Sequence, residues 1–152
     1  MRVFRDLGEF RTCVGETLGT SDWLAIDQER INAFAEATGD HQWIHVDPVL
    51  AADGPFGTTI AHGHLSLSLL PVLVGQIYRI DRVRMSINYG LNRVRFPSPV
   101  PVNSRVRVST LLQEAEDVAG GVGAVLRSTM EIEGGRKPAC VAETVSRYYA
   151  SP

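Results

Sequence analysis

One stretch of the sequence, from Gly63 to Arg79, limits the possible folds of this chain more than any other. Leucine, valine and isoleucine would occupy nearly every side of a helix formed by it. A helix without a polar face is stable only where other elements surround it. Pro71 lies inside the stretch and predicts a kink, because proline removes one hydrogen bond of the helix. The sequence therefore predicts one central helix that the rest of the chain encloses.

After this helix the sequence changes to the two-residue period of β-strands. The apolar phase slips by one residue beside Gly90, which predicts a β-bulge between Gly90 and Arg93. Short, hairpin-like connections favour an antiparallel sheet. We therefore predict an α+β fold, a single domain over residues 1–152 in which an antiparallel sheet wraps around the central helix. Four strands are predicted, over Met85 to Phe96, Val102 to Leu112, Val122 to Ile132 and Ala139 to Tyr149.

Three further elements are predicted before the central helix. Apolar residues at helical spacing indicate a short opening helix from Phe4 to Val14, and Ser21 to Ile26 has the composition of a strand. A helix is predicted over Gln28 to Thr38, since Asp27 is a good N-cap and Gly39 is a good C-terminal stop. These elements leave a long segment without regular periodicity in front of the central helix.

This irregular segment, from Thr38 to His64, holds all four histidines of the chain and is predicted to overhang the sheet. Its one clear local signal is Asp47-Pro48, an N-cap followed by proline, which predicts a short helical turn through Ala52. Long irregular segments in compact domains are uncommon, and they tend to be functional. We therefore expect the functional site in this overhang.

Asp40 and His45 are the candidates for acid–base chemistry. A curved chain can bring side chains five residues apart to one point, and a carboxylate and an imidazole that share a water act near neutral pH. The alternative is structural, with Asp40 capping a turn and His45 packed on Trp43. Gly63 begins the central helix, where free N–H groups can polarise a carbonyl oxygen; a tight turn is the alternative for this glycine.

Several other kinds of site are not indicated. The histidines are irregularly spaced, and neither a helical HExxH motif nor a pair of neighbouring cysteines is present, so no metal is predicted. The sequence also has no Gly-x-Ser-x-Gly elbow, P-loop or GxGxxG motif.

The composition limits which partners and which cellular location are expected for this chain. With 21% charged residues, 44% apolar residues and a net charge of -2, the chain is an ordinary globular protein without a basic nucleic-acid-binding motif. No apolar run is long enough to cross a membrane, and the N-terminus has no signal-peptide core. Cys13 and Cys140 make no disulfide framework, so a cytoplasmic location is expected.

Arginines are concentrated between Arg79 and Arg107, where Asp81 is the only acidic residue. They suit either solvated strands that resist edge-to-edge pairing or an anionic ligand such as a phosphate, and both interpretations stay open. Together with uncovered sheet edges, they suggest pairing with a second copy of the chain.

Three motifs resemble those of one known family. The segments ATGDHQWIHVDP (residues 37–48), FGTTIAHGH (56–64) and INYGLNRVRFPSPVPV (87–102) are similar to the MaoC-like dehydratases, specifically the (R)-specific enoyl-CoA hydratases of the hot-dog fold. The resemblance extends from about Ser21 to Tyr149. Gln42-Trp43 stands where most relatives carry Asn-Pro.

The resemblance implies a hydratase that adds water reversibly to trans-2-enoyl-CoA thioesters and gives (R)-3-hydroxyacyl-CoA. Asp40 and His45 would hold and activate the water, and the N–H of Gly63 would polarise the thioester carbonyl. No cofactor is implied, since coenzyme A carries the substrate, and a homodimer is expected. Further substrate contacts are expected from His62, Trp43, Asn88, Tyr89 and Arg95.

Two other functions stay open within this fold. A hot-dog thioesterase would hydrolyse the thioester, although such enzymes place a carboxylate on or near the central helix, without the Asp-x4-His pair. A non-catalytic acyl-CoA-binding module would have little use for Asp40 and His45.

Overall fold

The structure, a computed structural model that describes residues 1–152, is built on an antiparallel sheet with helices on its inner face. The strands are β1 (Arg2–Phe4), β2 (Thr17–Thr20), β3 (Leu24–Ile26), β4 (Tyr78–Ile80), β5 (Val83–Arg95), β6 (Ser104–Val118), β7 (Gly121–Ile132) and β8 (Cys140–Ala150). The helices are α1 (Leu7–Arg11), α2 (Gln28–Thr38), α3 (Trp43–Val46), α4 (Pro48–Ala52), α5 (Gly63–Ser68) and α6 (Leu70–Ile77).

The main sheet has the strand order β2-β6-β7-β8-β5, with β3 also paired to β6. Hairpins join β6, β7 and β8, and β5 lies antiparallel to β8 at one edge. The register of β5 shifts between Asn88 and Gly90 and again between Leu91 and Arg93, so the predicted bulge is confirmed. The four predicted strands are confirmed as β5 to β8, with β6 extending six residues beyond its predicted end at Leu112.

The central helix consists of two segments instead of one. Leu69 is both the C-cap of α5 and the N-cap of α6. Pro71 lies in the first turn of α6, where its missing N–H costs little. The proline therefore starts a new helix and does not kink a continuous one. The helix also ends at Ile77, earlier than predicted, because Tyr78–Ile80 pairs in parallel with β1.

The central helix is enclosed on one side only. Leu65, Leu70 and Leu73 are buried against the sheet, whereas Val72 is 55% exposed. Strand β5 is exposed along nearly its whole length. We call these uncovered apolar positions the open face; it comprises Val72, Met85, Ile87, Tyr89 and Leu91. None of the helices has the length and hydropathy that crossing a membrane requires.

The N-terminal elements are shorter than predicted. Phe4 belongs to β1, and the opening helix covers only Leu7–Arg11, because Asp6 caps it by accepting from the N–H of Glu9. The predicted strand over Ser21 to Ile26 is reduced to β3. At Ser21 the ladder is incomplete: its N–H donates to the carbonyl of Val108, but the N–H of Val108 donates to the Ser21 hydroxyl and not to a main-chain carbonyl.

The predicted helix α2 is confirmed from its first to its last residue. Asp27 accepts from the N–H of Arg30 at 2.8 Å, and Gly39 ends the helix in the left-handed conformation with φ 80°. The end of helix α2 therefore fixes the position at which the overhang begins.

Candidate active site

The overhang is more ordered than its sequence indicates. Asp40 follows Gly39 directly, and its side chain accepts from the N–H of Gln42 at 3.3 Å. A single helical turn, α3, then carries His45, and Asp47 caps α4 by accepting from the next two free N–H groups. The predicted turn through Ala52 is confirmed as α4. Helix α3 was not predicted because it has four residues and no side-chain cap.

His45 is held in place by main-chain contacts. The residue is 7% exposed, and Nδ1–H of its ring donates to the carbonyl of Ile60 at 2.7 Å. A carbonyl can only accept, so the proton is on Nδ1 and the Nε2 lone pair is left unused. The carbonyl of His45 in turn accepts from the side-chain amide of Gln28 at 2.7 Å. The ring therefore has one fixed donor and one free acceptor.

His62 lies directly against His45. The two rings stack with centroids 3.8 Å apart and an interplanar angle of 22°. The Nε2–H of His62 donates to the main-chain carbonyl of Asp40 at 2.9 Å, and the ring also contacts Phe34, with centroids 4.8 Å apart. His62 is 2% exposed, and its Nδ1 has no hydrogen-bond partner.

These contacts bring together three of the residues singled out in the sequence. Asp40, His45 and His62 each offer a polar atom within 4.8 Å of the other two. Burial lowers the pKa of His45 below its usual value, and the neighbouring His62 lowers it further. The Ile60 carbonyl and Asp40 act in the opposite direction. His45 is thus a neutral imidazole near pH 7, able to accept a proton at Nε2.

The same three residues are the set in the chain that could hold a metal ion. Imidazole nitrogens bind zinc at about 2.0–2.1 Å in the plane of the ring. The rings of His45 and His62 are stacked nearly parallel with centroids 3.8 Å apart, so one ion cannot lie at this distance in the planes of both rings. The arrangement suits a water better than a metal, and the absence of a metal stays a prediction.

Gly63 is the first residue of α5, and its N–H has no acceptor within the helix. A Cβ atom at this position would lie 3.0 Å from the ring of Phe96. The close approach of Phe96 therefore accounts for the glycine. The tight-turn alternative does not apply, since Gly63 is helical and is not among the glycines with positive φ.

The residues predicted to contact substrate are divided between two places. Trp43 belongs to the overhang, where it packs on Gly54, while the ring stacked on His45 is that of His62. Asn88, Tyr89 and Arg95 lie on β5. The guanidinium of Arg147 lies 3.6 Å from the ring centre of Tyr89, and Arg95 donates to the carbonyl of Val94 at 2.7 Å.

A large cavity is separate from the acid–base residues. It is a half-open groove of about 690 Å³ between α6, β5 and β8, and it includes Asn88 and Tyr89. Asp40, His45 and Gly63 do not line it. Leu67 and Ser68 do, and they occupy the last turn of the helix that Gly63 begins. Helix α5 therefore connects the candidate catalytic residues with the groove.

The arginine-rich window is only partly available to an anion. Arg79 pairs with Asp81, Arg105 with Glu133 and Arg107 with Glu131. Arg107 also lies over the ring of Trp23, at 4.4 Å from its centre. For these three arginines the strand-surface interpretation holds. The arginines of β5, including Arg93 and Arg95, form no ion pair with the rest of the chain.

Sequence reasoning missed the residues that support the site. The carbonyl of Ile60 orients His45, and Thr59 donates to the side chain of Gln28, which holds the main chain of His45. Phe34 and Phe96 pack on His62 and Gly63. No local signal marks these contacts, since each joins segments 15 or more residues apart.

Known proteins resemble this chain over nearly its whole length. The 3-hydroxyacyl-thioester dehydratase Z of Mycobacterium tuberculosis is 56% identical over 151 residues, which cover 99% of this chain and 100% of that protein. The structure of the (R)-hydratase from A. caviae involved in PHA biosynthesis superposes with a TM-score of 0.72 at 27% identity, over 91% of this chain and 96% of that one. A monoamine oxidase regulatory protein from Archaeoglobus has the same fold, with a TM-score of 0.79 at 21% identity over 99% of this chain and 98% of that one.

These similarities confirm the predicted hot-dog fold, and the sequence profile of the MaoC like domain matches residues 9–134. The chain therefore belongs to the family of MaoC-like dehydratases, as its motifs predicted.

Proposed function

We propose that this protein is a hydratase that adds water reversibly to trans-2-enoyl-CoA thioesters and forms (R)-3-hydroxyacyl-CoA. The observation that carries the proposal is the unused Nε2 of a neutral, buried His45, fixed beside Asp40. The names of the relatives support it, since one is called a 3-hydroxyacyl-thioester dehydratase and another an (R)-hydratase.

In the proposed reaction, Asp40 and His45 hold one water between them. Their acceptor atoms remove a proton from the water while its oxygen bonds to C3 of the enoyl group. The electrons of the double bond move toward the thioester carbonyl, and the N–H of Gly63 stabilises the negative charge on that oxygen. The proton returns to C2, so the product contains all the atoms of water. Either group of the pair can return the proton.

We also infer that two copies associate through the open face. Strand β5 presents an unpaired edge of 13 residues with exposed Ile87, Tyr89 and Leu91. Long, apolar edge strands favour pairing with another strand, and large apolar patches mark protein interfaces. A second copy would continue the sheet and cover the exposed side of α6. Coenzyme A as the carrier, a contact of its phosphates with Arg95 and a cytoplasmic location stay predictions.

The activity is tested with trans-2-enoyl-CoA substrates from short to long chains. Loss of enoyl absorbance with an (R)-3-hydroxy product is the expected result, and Asp40→Asn is expected to lower kcat by about 10²-fold or more. Release of free thiol without hydration would indicate a thioesterase. Tight binding without turnover of any chain length would indicate a binding module, and wild-type turnover by Asp40→Asn would exclude the proposed role of Asp40.

The association is tested by the mass of the protein in solution. Leu91→Asp places a charge on the open face and is expected to yield a monomer. Thr129→Asp makes the same kind of change at an exposed position of the central strand β7 and is expected to leave the mass unchanged. A wild-type protein that is monomeric at micromolar concentration would contradict the inferred dimer.

A further inference from the structure

The proposed chemistry assigns no task to His62, although this polar residue is buried against the acid–base pair. His62 has 2% of its surface exposed, which leaves its side chain almost nothing with which to contact a substrate. A buried polar group is usually retained for the hydrogen bonds that it makes. The contacts of His62 lead to both residues of the acid–base pair and to no other polar side chain.

We infer that His62 is a positioning residue: its Nε2–H fixes the main chain of Asp40, and its ring sets the plane of His45. The inference rests on the proposed function, because it assigns to His62 the task of directing both groups to one water. A hydrogen bond of 2.9 Å from the ring joins the start of α5 to the start of the overhang, 22 residues earlier. The stack of 3.8 Å on His45 limits rotation of that ring about its bond to the chain.

No other contact performs the first of these tasks. Beyond Gly39, Asp40 is held by its own turn: its N–H donates to the hydroxyl oxygen of Thr38 at 3.4 Å, and its carboxylate accepts from the N–H of Gln42 at 3.3 Å. Both bonds are longer than that from His62, and both are local to the overhang. The bond from His62 is the one that ties the Asp40 main chain to the central helix. Without it, the carboxylate is free to move with its loop.

The two nitrogens of His62 differ, and this difference can be tested. Nε2–H donates a hydrogen bond to the main-chain carbonyl of Asp40, whereas Nδ1 is buried without a partner. A glutamine side chain can place an N–H near the position of Nε2, and an asparagine reaches only as far as Nδ1. Phenylalanine keeps a flat ring against His45 but has no donor. The three substitutions therefore separate the hydrogen bond from the packing.

The experiment compares His62→Gln, His62→Asn and His62→Phe in hydration of a trans-2-enoyl-CoA. We expect Asn and Phe to lower kcat by about 10- to 100-fold at nearly unchanged KM, because small displacements of reacting groups have effects of this size. Gln is expected to recover most of the activity. His41→Gln is the matched control, since His41 is exposed, lies beside Asp40 and pairs with Glu36; its kcat is expected to stay within about twofold of wild type.

Two results would overturn the inference. If Phe equals or exceeds Gln, His62 acts by filling space. If all three folded variants are equally slow, the donor at Nε2 is not what matters. Circular dichroism and the melting temperature establish that each variant folds.

A second measurement needs no variant and no activity. The ¹⁵N chemical shifts of the wild-type histidines report the protonated nitrogen of each ring. We expect Nε2–H for His62 and Nδ1–H for His45 at pH 7. A proton on Nδ1 of His62 would contradict the inference even if every variant failed to fold. A wild-type protein that hydrates no enoyl thioester would reject the proposed function, while these shifts would still report the contact of His62.

Discussion

Two pairs of buried polar side chains lie at opposite ends of the central helix, and they differ in what they leave free. Near the end of α6, the hydroxyls of Tyr78 and Tyr148 are 2.6 Å apart and satisfy each other. Near the start of α5, His45 and His62 each donate to a main-chain carbonyl from one ring nitrogen. The second nitrogen of each ring has no protein partner.

The difference separates a structural pair from a reactive one. Burial raises the pKa of both tyrosines, so each keeps its proton. The two side chains pack in an aromatic cluster with Phe4 and Phe10. Burial lowers the pKa of His45, which keeps a lone pair available. Burial thus favours the neutral form of His45 and of both tyrosines, but only the neutral imidazole is a base near pH 7.

The largest expected effect distinguishes the two pairs by activity. His45→Ala is expected to lower kcat by about 10²-fold or more, because it removes the proton acceptor at Nε2. Tyr148→Phe is expected to leave kcat within about twofold of wild type. Steady-state hydration rates of the two folded variants measure the contrast. A comparable loss of kcat in Tyr148→Phe would contradict the assignment of the tyrosine pair as structural.

A second prediction compares the pairs by stability. Tyr78→Phe leaves the hydroxyl of Tyr148 buried without its partner, and we expect a loss of about 1–3 kcal/mol in the free energy of unfolding. The double variant Tyr78→Phe/Tyr148→Phe removes both hydroxyls and should lose less than the sum of the two single changes. Urea unfolding of the four proteins measures this coupling. Strictly additive losses would show that the 2.6 Å contact contributes nothing.

The reactive end was predictable from the sequence where the signals were local. Asp27 and Gly39 define α2, and the position of Asp40 follows from the end of that helix. Asp47-Pro48 defines α4 in the same way. Each signal depends on a hydrogen bond or a dihedral preference within a few residues. The residue types at those positions indicate such local interactions directly.

The parts that were not predicted depend on contacts between distant segments. The contact of His62 with the carbonyl of Asp40 involves a main-chain atom that no residue type encodes. Tyr78 was assigned to the helix because its neighbours are apolar, yet pairing with β1 turns it into a strand residue. The open side of α6 was also unexpected, since an apolar helix face in the sequence does not say which chain covers it.

A third prediction concerns the pH dependence of hydration. Burial and the nearby His62 lower the pKa of His45, and Asp40 opposes the shift. The acid limb of kcat/KM should therefore lie below the usual histidine value of about 6.5. In His62→Phe the electrostatic contribution of that neighbour to His45 is absent, and the limb should move toward higher pH. An acid limb in the wild-type protein above this value would contradict a buried, neutral His45 as the base.

The smallest expected effects are on stability, and the two pairs should produce them at opposite ends of the pH scale. The pKa of His45 is lower in the folded than in the unfolded chain, so the unfolded state binds more protons as the pH falls below about 6.5. This contribution to stability is present above that pH and is lost toward the folded pKa. The tyrosines have raised pKa values, so the unfolded state loses protons first above a pH of about 10, and stability falls as the pH rises.

Other groups also titrate, including His41, whose pKa is raised by its bond to Glu36. The informative quantity is therefore the difference in unfolding free energy between wild type and variant at each pH. For His45→Ala the difference should change on the acid side only, and for Tyr78→Phe/Tyr148→Phe on the alkaline side only. Urea unfolding from pH 5 to pH 11 measures both curves. If the tyrosine variant changed the unfolding free-energy difference at acid pH, the two ends of the central helix would be energetically coupled. The pH dependence at each end could then not be assigned to the burial of one pair alone.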